Sequence, residues 1–285
     1  MGKGENLYAN EFVGYHLKLG IDHIFIYDDN DPFSEKIFNA VEKNFQQNVT
    51  VYEAKKFNIT HQSLAFSECY NNNIDKFDWF LMVDMDEFLY IVKDSLKGYL
   101  TNKRFNKCDF IKFHWVMPTD NDFIYYNSKP LFERFHPPYI KSNYIKSIIR
   151  GNISNLKYWV HSPYISNKRN ITCNNIGKRI YYKDMNFEYI KPINIKKAYI
   201  IHFKYKSTEE FINKLKRGYS DWFKDNLKKF LIENVRDYLK NNNASPEKIK
   251  LFESELNLNL SDLIKGIRKN QINKPIFQKF LGIFH

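Results

Sequence analysis

The run Val83-Asp84-Met85-Asp86-Glu87-Phe88 sets two carboxylates two residues apart, directly after the apolar Trp79-Phe80-Leu81-Met82. Carboxylates spaced this way on a turn can converge on one hard divalent cation. Mg²⁺ and Mn²⁺ favour oxygen ligands and share their coordination with substrate phosphates. A cation held by Asp84 and Asp86 would offset the charge that builds on a departing nucleoside diphosphate. The plain alternative is a solvated acidic turn, and the position at a strand end favours the chemistry. A second acidic turn, Asp28-Asp29-Asn30, can hydrogen-bond a ribose or base, although Asp, Asn and Pro also build ordinary loops. His202 closes the apolar Tyr199-Ile200-Ile201 and precedes Lys204 and Lys206. Its imidazole can complete a metal site while the two amines face phosphates. His161, after Trp159-Val160, has a similar setting. In the loop Pro118-Thr119-Asp120-Asn121-Asp122, either Asp120 or Asp122 can act as a general base on an acceptor hydroxyl.

These groups need elements to hold them. Phe12, Tyr15, His16 and Leu19 share one side of a helix capped by Asn10 and running to about Leu19, with Gly20 as its stop, and Ile21 to Tyr27 reads as a strand. A helical pattern at Ser34–Phe45, a strand at Val49–Tyr52, a helix at His61–Asn71 and a strand at Trp79–Val83 follow. That alternation predicts a parallel sheet with right-handed crossovers, its near-continuous apolar strands covered on both faces. Both acidic turns then fall beyond the carboxyl ends of strands, where such sheets bind ligands. Residues 105–205 read as strand-rich, with candidates at Phe110–Val116, Leu131–Phe135, Tyr144–Arg150, Lys157–Val160 and Ala198–Phe203. Beyond Ser207 the chain turns helical. An apolar stripe of Trp222, Phe223, Leu227, Phe230, Leu231 and Val235 lies along Asp221–Leu239, and Ser245-Pro246 starts a further helix. That stripe suits packing on its own domain, or peripheral contact with an anionic membrane surface.

With 285 residues, 43% of them hydrophobic and 17% aromatic, the chain can bury a substantial core, which excludes overall disorder. The net charge of +12 arises from scattered lysines, with no zinc-finger spacing or RNP-like signature, and argues for a solvated basic surface over nucleic-acid binding. No apolar run approaches the roughly 18 residues of a membrane span. Cys69, Cys108 and Cys173 are isolated and odd in number, which reads as idle thiols in a reducing compartment and a cytoplasmic protein, in part at the membrane surface.

Several segments, in order, resemble the family 2-like and family 92 glycosyltransferases. They are Glu5-Asn6, Asn10-Glu11-Phe12, Tyr15 to Ile24, Tyr27 to Asn30, Gln62, Asp78 to Leu89, Lys146-Ser147-Ile148-Ile149-Arg150, His161-Ser162-Pro163 and His202 to Ser207. The resemblance covers about residues 5–218. It implies an α/β, GT-A-type (Rossmann-like), mostly parallel sheet flanked by helices, spanning residues 1–218, with a helical extension over 219–285. It also implies a nucleotide-sugar donor, Mn²⁺ or Mg²⁺ at Asp84 and Asp86, Asp28 and Asp29 near the nucleoside, and His202 as metal or phosphate partner. Relatives generally invert anomeric configuration, which suits a single base. The expected activity is transfer of a sugar, from uridine diphosphate foremost, to a glycan, lipid-linked or protein acceptor. The alternative is an inactive nucleotide- or glycan-binding module. Two departures stand out: the hydrophobic strand that usually precedes Lys3-Gly4-Glu5-Asn6 has no counterpart here, and the loop Thr119 to Asp122 differs from the family's glycine- and serine-rich version.

Overall fold

The computed structural model describes residues 1–154, 156–164, 170–181, 188–218 and 227–272. The chain divides into two compact units, Met1–Pro118 with Lys129–Lys204, and Thr119–Ser128 with Tyr205–His285. The loop bearing Asp120 and Asp122 goes with the carboxyl-terminal unit.

In chain order the first unit contains α1 (Asn6–Leu19), β1 (Ile24–Asp28), α2 (Lys43–Gln46), β2 (Val49–Glu53), α3 (Gln62–Asn73), β3 (Trp79–Met82), β4 (Glu87–Ile91), α4 (Leu96–Leu100) and β5 (Phe110–Met117). After these come α5 (Leu131–Arg134), β6 (Ile140–Arg150), β7 (Lys157–Tyr158), β8 (Pro163–Tyr164), β9 (Thr172–Asn174), β10 (Arg179–Ile180) and β11 (Ala198–His202). Helix α1 begins at Asn6, buries Phe12, Val13 and His16, and stops where its pattern requires. Gly20 takes a left-handed φ of 108°, and the chain then donates from Gly20 and Ile21 back to Leu17 and His16. That reversal is cheap for glycine, which has no Cβ to clash.

The expected mostly parallel, Rossmann-like sheet is not what forms. Only β1 and β2 make the predicted parallel pair, Ile24 beside Val49, as a separate two-stranded sheet. The main seven-stranded sheet is mixed. Its ladders β3/β6, β5/β6, β4/β11 and β9/β10 are antiparallel, and only β5/β9 and β5/β11 are parallel. A continuous apolar run reports burial on two faces, not strand direction. Central β5 places Ile111, Phe113 and Trp115 in one apolar cluster and Phe110 in another, so both its faces are covered. Its edges are filled as well: β6 runs along one, and β9 and β11 share the other. The Leu131–Phe135 segment, read as a strand, is the single helical turn α5 that follows Pro130. The Ser34–Phe45 pattern resolves into a 3₁₀ turn at Ile37–Ala40 and the four-residue α2.

The thiols also depart from expectation. Cys108 and Cys173 form a disulfide that ties the start of β5 to β9 inside the larger core cluster. Cys69 is a free thiol, pushed up to about 12 by burial.

The second unit contains α6 (Thr208–Arg217), α7 (Leu227–Asn241), α8 (Pro246–Leu256) and α9 (Ser261–Ile272). Ser207 and Glu210 form a reciprocal capping box at α6, and Ser245 caps α8 with Pro246 in the first turn. Of the predicted stripe, Trp222 and Phe223 lie outside the described residues. On α7, Val235, Tyr238 and Leu239 are buried, and the Tyr238 ring meets Phe211 of α6 and Phe252 of α8 at 4.7 and 5.1 Å. No helix among the described residues is long and apolar enough to cross a membrane.

Candidate functional site

The acidic turn joins β3 to β4, yet those strands do not pair with each other. Each is held by a distant partner, and those partners bring the chemistry. The antiparallel β4/β11 register sets His202, the last residue of β11, opposite Glu87, the first of β4. His202 Nε2 thereby comes within 3.5 Å of Asp86 Oδ2, and its Nδ1 within 3.9 Å of Glu87 Oε1. The backbone tightens this corner, because Phe203 N–H donates to Asp86 O at 2.9 Å. The turn is closed from within by Glu87 N–H to Asp84 O, and by Asp84 N–H to Glu87 Oε2 at 3.0 Å.

On the other side, the β3/β6 register sets Ser147 opposite Met82, so Lys146 lies beside the chain as it leaves β3. Its ammonium donates to Asp84 Oδ2 at 2.9 Å and to Val160 O at 3.1 Å, and stands 3.4 Å from Glu87 Oε2. The side chains of Lys146 and Glu87 are fully buried. Burial by itself lowers a lysine, but Asp84 and Glu87 together outweigh it and hold Lys146 above the ordinary lysine value. Burial, with Asp84 and Asp86 nearby, pushes Glu87 well above the usual carboxylate range against the pull of Lys146. Two carboxylates, Asp84 and Glu87, thus share one buried ammonium, and Asp86 faces His202 instead.

Aromatic side chains line the cluster. The Trp115 ring meets His202 at 4.4 Å and His161 at 5.1 Å, both edge-on, and stacks on the half-exposed Tyr144 at 5.3 Å. Burial first, and Lys146 second, drive His161 down to about 3, so it is neutral at physiological pH.

Among the described residues, no group of three or more His, Cys, Asp and Glu is arranged to hold a metal ion. The structure brings Asp84, Asp86 and His202 into one corner, and Asp84 is engaged by Lys146. Asp28 is buried and organises its own loop, with Oδ1 accepting from Asn30 N–H and Oδ2 from Ile37 N–H, both at 2.9 Å. Asp29 is half-buried, and burial raises its carboxyl against the pull of Lys3 and Lys55. Lys204 belongs to the first unit, Lys206 to the second.

Asp120 and Asp122 also belong to the second unit. Asp120 is buried there, its Oδ2 taking Lys248 Nζ at 2.7 Å and the Tyr238 hydroxyl at 2.5 Å. Asp122 is exposed, and its hydrogen bond from Lys248 at 3.1 Å keeps it below the usual carboxylate value. Glu87, Lys146 and Trp115 join the site without a local motif that marks them for it. The available signal was a lysine inside an otherwise apolar strand, Ile145-Lys146-Ser147-Ile148-Ile149, in a chain with a carboxylate-rich turn.

A separate cavity of about 590 Å³, lined by both polar and apolar groups, lies in the first unit between β1 and β3. Its lining includes Ile24 to Tyr27 and Trp79 to Val83 but none of Asp84, Asp86, Glu87 or His202, so it is distinct from the polar corner.

No family model matches the chain. Over 110 residues it is 27% identical to a glycosyltransferase family 92 protein of Oryza sativa subsp. japonica. The match takes in 36% of this chain and 18% of that protein, so the chain spans under a fifth of the relative's length. The likeness is distant.

Proposed function

We propose that this chain is a glycosyltransferase that moves a sugar from a nucleoside diphosphate, uridine diphosphate foremost, to a hydroxyl of a glycan, lipid-linked or protein acceptor. The observation that carries the reading is the buried corner of Asp84, Asp86, Glu87, Lys146 and His202 at strand ends, taken with the family 92 likeness. Asp86 Oδ2 and His202 Nε2, 3.5 Å apart, suit a divalent cation whose other ligands are diphosphate oxygens. Such a cation would supply positive charge to the leaving diphosphate. The residues do the positioning. Lys146 neutralises and orients Asp84, and the bond from Phe203 N–H fixes the Asp86 backbone beneath the site. Transfer with inversion requires one base. Within the second unit, Asp120 is taken up by Lys248 and Tyr238, whereas Asp122 is the exposed carboxylate of that loop. Its lowered value makes it a weak base.

The test is thermal stability of the purified protein with UDP and Mn²⁺, against UDP with EDTA. The wild type is expected to gain stability only with metal present, and Asp86→Asn to lose that gain while melting at its own unliganded temperature. An equal gain in Asp86→Asn, or none with any nucleoside diphosphate in the wild type, overturns the reading.

A further inference from the structure

Among the described residues, Glu87 Oε1 and three further buried polar atoms around the corner have no hydrogen-bond partner, the three being Trp115 Nε1, His161 Nδ1 and Asp84 Oδ1. Each is buried, and a buried polar group without a partner costs roughly 1–3 kcal/mol. Native proteins rarely leave several together, and functional sites are where they do. The three belong to one neighbourhood. Trp115 is in ring contact with His161, and His161 is within electrostatic reach of Asp84. Trp115 also touches His202 and carries Tyr144 on its face.

The chemistry of the set is specific. The indole N–H only donates, the carboxylate oxygen only accepts, and the imidazole nitrogen does either according to its tautomer. A phosphate, which accepts only, is a poor match for a set that includes Asp84 beside two further carboxylates. A uracil offers one N–H and two carbonyls, and so can satisfy a single acceptor. A hexose offers several hydroxyls, each of which both donates and accepts, and an apolar C–H face that stacks on an aromatic ring. The Tyr144 ring, 40% exposed and backed by Trp115, presents such a face.

We infer that Trp115, His161 and Asp84 read the hydroxyls of the transferred hexose, with Tyr144 as the platform for its ring. This rests on the transferase reading above and assigns that site its sugar-recognising residues. Trp115 and Tyr144 then determine specificity for the sugar and leave the nucleotide alone.

Indole ¹⁵N–¹H spectroscopy tests the assignment directly. The chain has four tryptophans, and the Trp115 signal is the one that disappears in Trp115→Phe. UDP-glucose or UDP-galactose is expected to shift that signal, and UDP alone to leave it in place. Trp115→Phe, which keeps an aromatic side chain and removes the N–H, is expected to weaken UDP-hexose binding about five- to tenfold, the worth of one hydrogen bond, with UDP affinity unchanged. Tyr144→Ala, an exposed change that does not threaten folding, is expected to discriminate in the same sense. If UDP alone moves the Trp115 signal as far as UDP-hexose does, the site reads nucleotide and the inference fails. It fails equally, with the transferase reading intact, if UDP-hexose stabilises the protein while the Trp115 signal stays fixed. If neither UDP nor UDP-hexose stabilises the protein or moves the signal, both readings fall together.

Discussion

Lys146 Nζ lies 2.9 Å from Asp84 Oδ2, a buried ammonium from the middle of β6 closing on the carboxylate that follows β3. The pair joins residues 62 positions apart in sequence and pins the acidic turn to the sheet. Removing one partner of a buried pair strands the other charge, at roughly 3–5 kcal/mol. Lys146→Met is therefore expected to lower unfolding stability by about that amount in urea, and Asp84→Asn added to it to restore part of the loss. An unchanged urea midpoint in Lys146→Met would show that the pair does not hold the turn. The pH dependence has a definite sign. Lys146 is raised in the fold, so its contribution is complete below the ordinary lysine value and is lost as pH rises through the folded one.

His16 provides the acid-side counterpart. It is buried on α1 among Phe12, Tyr15 and Phe88, and burial lowers it to about 4. The unfolded chain takes up a proton near 6.5 and the folded chain does not until about 4. The stability this contributes is present above 6.5 and lost as pH falls towards 4. The lowering corresponds to about 3 kcal/mol at most. His16→Leu is expected to flatten the stability profile between pH 6.5 and 4, as read from chemical denaturation at a series of pH values. A profile as steep as the wild type's would assign acid sensitivity to other groups, His161 first, since it is lowered in the same direction.

In the second unit, Lys248 joins Asp120 at 2.7 Å with both side chains buried. Asp120→Asn and Lys248→Met are each expected to destabilise by about 3–5 kcal/mol, and the double variant by clearly less than their sum. Additive losses in that cycle would remove the ion pair as the explanation. Exposed Asp122 provides the contrast: Asp122→Asn is expected to leave the melting temperature within about 2 °C and, if Asp122 is the base, to abolish transfer.

The Cys108–Cys173 bridge closes a loop of 65 residues, for which chain entropy predicts a stabilisation of about 4 kcal/mol. Reductant, or Cys108→Ser with Cys173→Ser, is expected to lower the melting temperature markedly, and Cys69→Ser to leave it nearly unchanged. No effect of reductant on the wild type would mean that the bridge is absent in solution. A persistent bridge favours an oxidising compartment, against the cytoplasmic expectation.

Local signals in the sequence carried as far as local physics reaches. The apolar face of α1 and its glycine stop, the serine caps of α6 and α8, and the carboxylates after β3 are written within a few neighbouring residues each. So is His202 at a strand end, because an apolar run followed by polar residues marks where burial stops. Tertiary structure decided what those ends face. Which strands pair, and in which direction, depends on contacts between residues far apart in the chain, and two-sided burial looks alike in parallel and antiparallel strands. That non-local pairing turned the sheet mixed, drew Cys108 to Cys173, committed Asp120 to Lys248, and set Lys146 and Trp115 beside the acidic turn. A side chain's partners come from the strand beside it, and only the folded sheet specifies which strand that is.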